Sequence, residues 1–249
     1  MKIICPKSVL AKGVNIVLKA VPSKTTMPIL ECILIDASNG KIKLTANDME
    51  LGIETEIEGE IIHDGIVALN AKIFSEIVRK LPDSDVIIDT EDGVQTIITC
   101  EKAKFNIAFQ SGEDFSYLPD VEKDDHITIS EFMLKEVIRQ TIFSIADNDT
   151  NRMMTGELFQ IEDNILKVVS LDGHRISIRK IELKESYEPK KVIVPGKTLV
   201  EISKIVGGEA EKNVDISFTK NHIMFEFDKT IVVSRLIEGE YFKIDQMLS

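Results

Sequence analysis

Tryptophan is absent from the 249-residue chain, and only three tyrosines occur. Proteins that bind single-stranded nucleic acid stack bases on aromatic side chains, so this composition argues against a stacking surface. The three cysteines, Cys5, Cys32 and Cys100, are widely spaced and form no C-x-x-C pair. That spacing argues against a zinc site or a disulfide framework and predicts buried thiols in a reducing compartment. We expect neither a metal nor a cofactor.

Long apolar runs are also missing. No stretch of about 18 apolar residues occurs, so no transmembrane helix is predicted, and the N-terminal MKIICPKSVLAKG lacks the apolar core and cleavage site of a signal peptide. We therefore expect a cytoplasmic protein with no membrane partner. The nucleophile motif G-x-S-x-G and the phosphate-binding motif G-x-x-x-x-G-K-[ST] are absent as well.

What the chain has in excess is negative charge, with a formal net charge of -12. Taken as a whole, this charge argues against binding to nucleic acid, because phosphate contacts depend on Lys and Arg. The predicted helices, however, carry a net positive charge, so the strands and loops hold all of the negative excess. Such segregation fits a basic helix surface that binds phosphate backbones without reading bases, although four ordinary amphipathic helices with solvated lysines would look similar.

The order of predicted elements occurs twice. Apolar residues at helical spacing predict helices over 6–21, 70–81, 130–146 and 196–206, with Pro6 in the first helical turn and Ser130 as an N-cap. Short Ile-, Val- and Thr-rich segments with turn signals between them predict strands after each helix. The segment 115–125, with a proline and four acidic residues, predicts an extended linker.

The two halves also match position by position. A shift of 124 residues places LTANDMEL (44–51) on VVSLDGHR (168–175), and a shift of 125 places LNAKIFSEI (69–77) on VPGKTLVEI (194–202). A shift of 127 places FQSGEDF (109–115) on LIEGEYF (236–242). A period above 100 residues indicates duplicated domains rather than a solenoid. We predict an α+β chain with domains over 1–120 and 121–249.

The segment SLDGHR places Asp172, His174 and Arg175 within four residues. One interpretation is a catalytic acid–base pair, as in a hydrolase, whose turnover an Asp172→Asn variant would lose. The other is a hairpin turn of type I′ at Asp172-Gly173, because Asp-Gly readily adopts positive φ. We favour the turn, since no nucleophile motif accompanies the pair and the matching place in the first half is the turn segment AND.

Several segments together resemble one known family. TTMPIL (25–30), NRMMTGELFQIEDNILKVVSLDGHRIS, VPGKTLVEISKI and SRLIEGEYF are similar to segments of the bacterial sliding clamp, the beta subunit of DNA polymerase III, over its first two domains. The resemblance implies the DNA-clamp fold, in which each domain packs two helices on antiparallel sheets. It also implies a processivity factor rather than an enzyme: two chains of three domains close head to tail around duplex DNA, with helices lining the hole.

The resemblance and the helix pattern together nominate the residues that face DNA. Lys24 and Lys72 match family positions that meet DNA, and Arg152 lies in a matching loop. The helix pattern adds Lys12, Lys19, Arg79, Lys80 and Lys197. Binding through these residues is expected to be independent of DNA sequence.

The resemblance further implies an apolar pocket for a short peptide of DNA polymerase III subunits, the clamp loader and other proteins with a clamp-binding motif. Carried over by position, the pocket consists of Met154, Leu171, Gly173, His174, Arg175 and Ile176, with Met247 and Leu248 on a further side. Leu171 stands where the family commonly has Thr, and Met154 where it has Leu. Both departures keep the lining apolar.

The chain ends where the family's linker to a third domain would begin, so we expect the third clamp domain to be absent from it. Three assemblies remain open from the sequence: part of the family's dimeric ring, a two-domain clamp that closes as a trimer, or a truncated form that makes no ring. The mass of the protein in solution distinguishes a trimer from a monomer.

Overall fold

The computed structural model describes residues 1–90, 93–123, 126–147 and 151–247. The chain divides into two compact units: Met1–Pro119 with Asp228–Val232, and Asp120–Phe227 with Val233–Ser249. We call them the first and the second unit. The helices are α1 (Lys7–Val17), α2 (Ala71–Lys80), α3 (Glu131–Thr141), α4 (Gly196–Ile205) and the short α5 (Ile244–Met247).

The first unit contains two sets of antiparallel strands. One sheet has the order β5-β1-β7-β8-β9, with the bounds β1 (Lys2–Pro6), β5 (Glu60–His63), β7 (Asp85–Asp89), β8 (Thr96–Cys100) and β9 (Ala103–Ile107). In the other set, β10 pairs with β6, β6 with β2, β2 with β3 and β3 with β4. Its bounds are β2 (Cys32–Asp36), β3 (Ile42–Asn47), β4 (Leu51–Ile57), β6 (Ile66–Asn70) and β10 (Phe109–Ser111).

The second unit uses longer strands. β12 and β13 form an antiparallel pair, and β14 pairs with β11 and β15. The bounds are β11 (His126–Ser130), β12 (Gly156–Leu171), β13 (Ile176–Pro195), β14 (Asn213–Phe218) and β15 (His222–Phe227). The last strand, β16 (Thr230–Arg235), begins in the segment assigned to the first unit and ends in the second. The sequence pattern predicts β12 as two separate short strands and leaves part of β13 unassigned. Both strands are therefore longer than that pattern indicates.

Strand register shows the duplication directly. Cys32 pairs with Asn70 in the first unit, and Gly156 pairs with Pro195 in the second. Asn47 likewise pairs with Gly52, and Leu171 with Ile176. The partners are related by the shifts of 124 and 125 residues that the sequence alignment uses. The same backbone plan is therefore built twice.

The helices bury one apolar face each, as their spacing predicts. The buried residues include Leu10, Val14 and Val17 of α1, Phe74, Ile77 and Val78 of α2, Leu134, Val137 and Ile138 of α3, and Leu199 and Ile202 of α4. Ser130 caps α3 by accepting the N–H of Met133. The prediction for Pro6 was wrong by one position, since Pro6 ends β1 and precedes the first residue of α1.

The cysteines fit the thiol interpretation. Cys5, Cys32 and Cys100 are free and buried. Burial raises the pKa of Cys5 to about 12 and that of Cys32 to about 11, so these thiols stay protonated and pack as small apolar groups.

Glu157 places a carboxyl group in the core of the second unit. Glu157 in β12 is fully buried, and its Oε2 lies 3.1 Å from the hydroxyl oxygen of Thr141 at the end of α3. That hydroxyl donates its single proton to the carbonyl oxygen of Val137, 2.7 Å away. A protonated Glu157 that donates to Thr141 satisfies this chain of three groups. In agreement, burial raises the pKa of Glu157 to about 8.

The first unit has no such group at the matching place. A shift of 124 residues relates Glu157 to Ile33 and Thr141 to Val17, and both of these apolar side chains are fully buried. The duplicated core thus holds an apolar pair in one copy and a carboxyl–hydroxyl pair in the other.

Candidate functional site

The SLDGHR segment forms a hairpin turn between β12 and β13. Asp172 Oδ1 accepts the backbone N–H groups of His174 and Arg175 at 3.0 and 3.2 Å, and Oδ2 accepts Nε of Arg175 at 2.9 Å. These bonds, led by the one from the His174 backbone, lower the pKa of Asp172. The carboxylate therefore holds the turn together, and it makes no catalytic pair with the exposed His174.

The turn differs from the predicted type. A type I′ turn at Asp172-Gly173 requires positive φ at both residues, but only Gly173 has it, at +89°. The backbone N–H of Asp172 bonds to the carbonyl oxygen of Arg175 at 3.3 Å, so the two central residues are Gly173 and His174. The prediction of a turn is confirmed, and the prediction of its type was wrong.

The first unit repeats the turn with a different residue at its tip. Asp48 accepts the backbone N–H groups of Glu50 and Leu51 at 3.0 and 2.7 Å, as Asp172 does in the second unit. The residue after it, Met49, has φ +73° in place of Gly173. Positive φ is costly for a residue with a Cβ. The turn of the first unit therefore holds a methionine in a strained conformation at the position where the second unit has an unstrained glycine.

This difference gives a stability prediction. Gly173→Ala is expected to lower the free energy of unfolding by about 1 kcal/mol, because alanine is strained at this φ. Steric clash with the rest of the described chain contributes nothing, since beyond the two adjoining residues none of its atoms lies within 4 Å of the place where the new Cβ would stand. Met49→Gly should have the opposite sign or no effect. Urea denaturation of both variants checks the pair, and an unchanged midpoint for Gly173→Ala would contradict the backbone explanation.

An apolar cluster lies beside the hairpin. Leu158, Val169, Leu171 and Ile244 are buried together, and Met154, Ile176, Tyr241 and Phe242 pack against them. Three of these residues, Met154, Leu171 and Ile176, are predicted pocket residues, and the structure brings them together. Leu171 is fully buried and forms the floor, whereas Met154 and Ile176 are partly exposed. We call these eight residues the apolar cluster.

The cluster also contains residues that the sequence did not nominate. Tyr241 and Phe242 lie edge to face, with ring centroids 5.6 Å apart. The Tyr241 hydroxyl donates to a backbone carbonyl oxygen of β12, 3.4 Å away at Val169. The shift of 127 that places Phe242 on Phe115 was the available signal, because Phe115 occupies the corresponding cluster of the first unit.

On the far side of the predicted pocket, the apolar cluster includes a residue that was not predicted, and Met247 and Leu248 remain predictions. Met247 ends the short helix α5, is 50% exposed and does not belong to the apolar cluster. Ile244, three residues earlier, contributes instead. Leu248 lies outside the described residues. The hairpin residues Gly173, His174 and Arg175 are exposed at the border of the cluster.

The first unit closes the equivalent cleft with its own chain. Gly52 stands where the second unit has Ile176, and the space that a Cβ at position 52 would need is occupied by the side chain of Leu118. Asn47, which corresponds to Leu171, donates its side-chain N–H to the carbonyl oxygen of Ser116 at 3.2 Å. The segment before Pro119 is therefore bound into the cleft of the first unit.

The residues predicted to face DNA are all at least partly exposed. In the first unit they lie on α1, on the 3-10 turn after it, on the following loop and on α2: Lys12, Lys19, Lys24, Lys72, Arg79 and Lys80. In the second unit Arg152 lies in a 3-10 turn and Lys197 in the first turn of α4. The first unit thus provides six of the eight cations.

The solvent-exposed face of α3 and of the 3-10 turn after it carries different side chains from that of α1 and its turn. Positions related to Ser8, Lys12, Asn15 and Lys19 by the 124-residue shift hold Phe132, Glu136, Arg139 and Phe143. Phe132 and Phe143 are 48% and 58% exposed, and Arg139 pairs with Glu136 at 2.8 Å. On α4, Lys204 pairs with Glu201 at the same distance. The basic surface therefore belongs mainly to the first unit.

A metal centre and a membrane-spanning helix are two further possibilities. Within the described residues, no group of three or more His, Cys, Asp and Glu side chains is arranged to hold a metal ion. No helix in that same part of the chain is long and apolar enough to cross a membrane.

Comparisons with known proteins agree across sequence and structure. The family model of the DNA polymerase III beta subunit N-terminal domain matches residues 1–119, and the central-domain model matches residues 128–243. Relatives named beta sliding clamp from Staphylococcus epidermidis and Staphylococcus aureus are 37% and 38% identical over 235 residues. These residues are 91% of this chain and 62% of each relative, so the chain spans less than two thirds of their length.

Solved structures show the same fold. A DNA polymerase III beta subunit from Eubacterium rectale superposes with a TM-score of 0.98 at 70% identity, and a DNA polymerase sliding clamp from Bacillus subtilis with 0.96 at 34%. Each match covers all of this chain and 68% of the other. The α+β fold with duplicated antiparallel domains, which the sequence predicted, is confirmed.

Proposed function

Because the chain belongs to the DNA polymerase III beta subunit family, the beta sliding clamps, we propose that it acts as a sliding clamp. In this function it encircles duplex DNA and holds the replicative polymerase and other partners on the template. The observation that carries the proposal is the set of exposed cations on the helices and on the turns and loop beside them, in a chain whose net charge is -12. Such a surface holds phosphates weakly and without base contacts, which permits sliding.

The ring follows from the family resemblance. We propose that two chains, each completed by a third unit, close head to tail around the duplex. The comparisons favour this bacterial assembly over the trimeric alternative. The place of action is the cytoplasm, where bacterial DNA is replicated.

The clamp function requires no catalysis by this chain. Asp172, the acid of the one candidate catalytic pair, is held by two backbone N–H groups and by Arg175. Nucleotide hydrolysis in the working cycle belongs to a clamp loader, since this chain lacks the phosphate-binding loop motif.

Partner peptides bind at the apolar cluster in this proposal. Leucine or phenylalanine anchors would lie over Leu171 between Met154 and Ile176, and each would contribute about 1.5 to 3 kcal/mol before the cost of ordering the peptide. Arg175 lies at the rim, where its aliphatic stem offers apolar surface and its head remains solvated. DNA polymerase III subunits, the clamp loader and other proteins with such anchors are the proposed partners.

Calorimetric titration with a peptide that carries a Gln and Leu/Phe anchors tests the site. Met154→Ala is expected to weaken binding about tenfold, because it removes part of one wall. Ile176→Asp should abolish binding, since it places a charge against the anchors. Met49→Ala is the matched control, a half-exposed methionine of the first unit, and should change nothing. The chain alone should bind more weakly than a version with a third unit. Unchanged affinity in both cluster variants would place the site elsewhere.

A further inference from the structure

A groove of about 1040 Å³ opens next to the apolar cluster in the second unit. Its floor is the face of β12 and β13 that carries Leu158, Gln160 and Ile193, and its wall is the segment from Leu236 to Gln246. Four residues of the apolar cluster line it too: Leu158, Tyr241, Phe242 and Ile244. The groove and the cluster are therefore one continuous surface.

The wall of the groove is fixed to the sheet. The backbone N–H of Leu236 donates to the carbonyl oxygen of Asn221 at 2.8 Å, and that of Ile237 to the carbonyl oxygen of Ile193 at 2.9 Å. The side chain of Ile237 is buried. A ligand segment would thus meet a preformed groove and would not have to order its wall.

The groove is basic, although the chain is acidic. Two glutamates line the groove, Glu238 and Glu240, and so do four lysines: Lys167, Lys191, Lys220 and Lys243. Among the described residues, no carboxylate forms an ion pair with Lys191, Lys220 or Lys243. Lys167 and Lys180 stand opposite each other on the paired strands, which adds positive charge to the same face of the sheet.

The groove lies on the side of the sheet away from the helices. Successive side chains of a strand point to opposite faces. Glu157 points to α3, where it meets Thr141, so Leu158 and the groove lie on the other face of β12. Duplex DNA, which we place against the helices, is therefore not the expected occupant of these lysines.

We propose that this groove binds an acidic segment of the partner protein whose apolar anchors occupy the apolar cluster. The proposal rests on the proposed partner site and adds to it the charge of the residues that flank the anchors. Continuity with the cluster directs one peptide into both places, and the lysines complement carboxylates at several points. The acidic flank would raise the affinity of the right partner and disfavour basic segments.

Fluorescence anisotropy with matched peptides tests the groove. All peptides share the same anchors. In one set three Asp, three Ser or three Lys precede the anchors, and in the other set they follow them. In one of the two sets, the peptide with the acidic flank is expected to bind about tenfold more tightly than the peptide with the serine flank at low ionic strength, and this advantage should vanish at about 1 M salt. The lysine flank should bind most weakly.

Charge-matched variants locate the effect. Lys191→Glu/Lys220→Glu should remove the advantage of the acidic flank but leave the serine-flank affinity unchanged. Lys102→Glu/Lys104→Glu, which reverses two exposed lysines of the first unit, should keep the advantage. Lys191→Gln/Lys220→Gln is a milder second variant if the reversal disturbs folding.

The outcomes separate the two proposals. Two results would overturn the groove proposal and leave the apolar site intact. One is equal affinity for the acidic and serine flanks, and the other is an equal loss of the acidic-flank advantage in both charge-reversal variants. Failure of every peptide to bind overturns both. Displacement of the acidic peptide by a short DNA duplex, lost together with Lys191 and Lys220, would assign the groove to nucleic acid and would also overturn the proposal.

Discussion

Replacing Glu157 with glutamine is expected to remove the steepest part of the pH dependence of stability of the second unit. The buried carboxyl has its pKa raised to about 8 in the folded chain, from 4.5 in the unfolded chain. The shift corresponds to a stability difference on the order of 5 kcal/mol. Glutamine keeps the shape and cannot ionise, so its variant should not show this change.

The direction in which the free energy of unfolding changes with pH follows from proton binding. Between pH 4.5 and about 8 the folded chain keeps the proton on Glu157 and the unfolded chain has lost it. The unfolded state therefore binds fewer protons, and the free energy of unfolding falls as the pH rises. The contribution is fully present below pH 4.5 and is lost as the pH passes through about 8.

Urea denaturation from acidic to alkaline pH measures the effect as the difference between the two proteins, so that shared titrations cancel. Glu162→Gln is the matched control, since Glu162 is exposed on the same strand. Parallel curves for the wild-type chain and Glu157→Gln across this range would show that Glu157 ionises normally. A substitution of Thr141 by Val should steepen the loss, because an ionised Glu157 then lacks the hydroxyl that would donate to it and hold its pKa down.

Reversing Lys12 and Lys72 to glutamate is expected to weaken binding to linear duplex DNA by at least about tenfold at low salt. Two cations leave the helix surface of the first unit and two repulsive charges replace them. The slope of log affinity against log salt should fall in magnitude by about 2, close to one for each phosphate that a lysine no longer neutralises.

The DNA prediction has a control within the same unit. Lys102→Glu/Lys104→Glu changes the net charge by the same amount at two other exposed positions. Anisotropy titrations with two unrelated duplex sequences compare the variants. An equal loss in both would mean that overall charge, and not the helix surface, governs binding. Tight binding to only one of the duplexes at moderate salt would contradict the sliding interpretation.

Local patterns in the sequence anticipated the helices and the duplication. Apolar spacing located α1 to α4, and the shifts of 124 and 125 residues reappear as paired residues such as Leu171 and Ile176. The ends were less predictable. The first helix was predicted to continue to residue 21, but α1 ends at Val17 and a 3-10 turn follows.

Strand length depended on pairing that local propensity does not show. Asp163 and Asn164 look like a turn that would divide two strands, yet β12 runs through them with Asp163 at φ +55° and a shifted register. The strands β1 and β11 were not predicted either. Each is five residues long and lies directly before a helix, so the helix signal dominated the pattern.

The site was predicted in part for the same reason. Met154, Leu171 and Ile176 came from motifs close to the hairpin in sequence. Tyr241, Phe242 and Ile244 reach the cluster from some 70 residues beyond it, and no local pattern marks which side of that segment is buried. The exposed Phe132 on α3 and the exposed Phe143 in the 3-10 turn after it do not follow from the family resemblance, which leads one to expect basic helices.

The filling of the first cleft by Leu118 limits how many peptides these two units could bind under the proposed function. Duplication alone would give each chain two equivalent clefts, and a ligand with two copies of a motif could then bridge both and gain avidity without any gain in contact quality. Because Leu118 and the Asn47–Ser116 bond occupy one copy, the described parts of these two units leave one of the two clefts open. Under the proposed function, partners that carry the same anchors would compete for this cleft, and concentration and affinity would decide which one is bound.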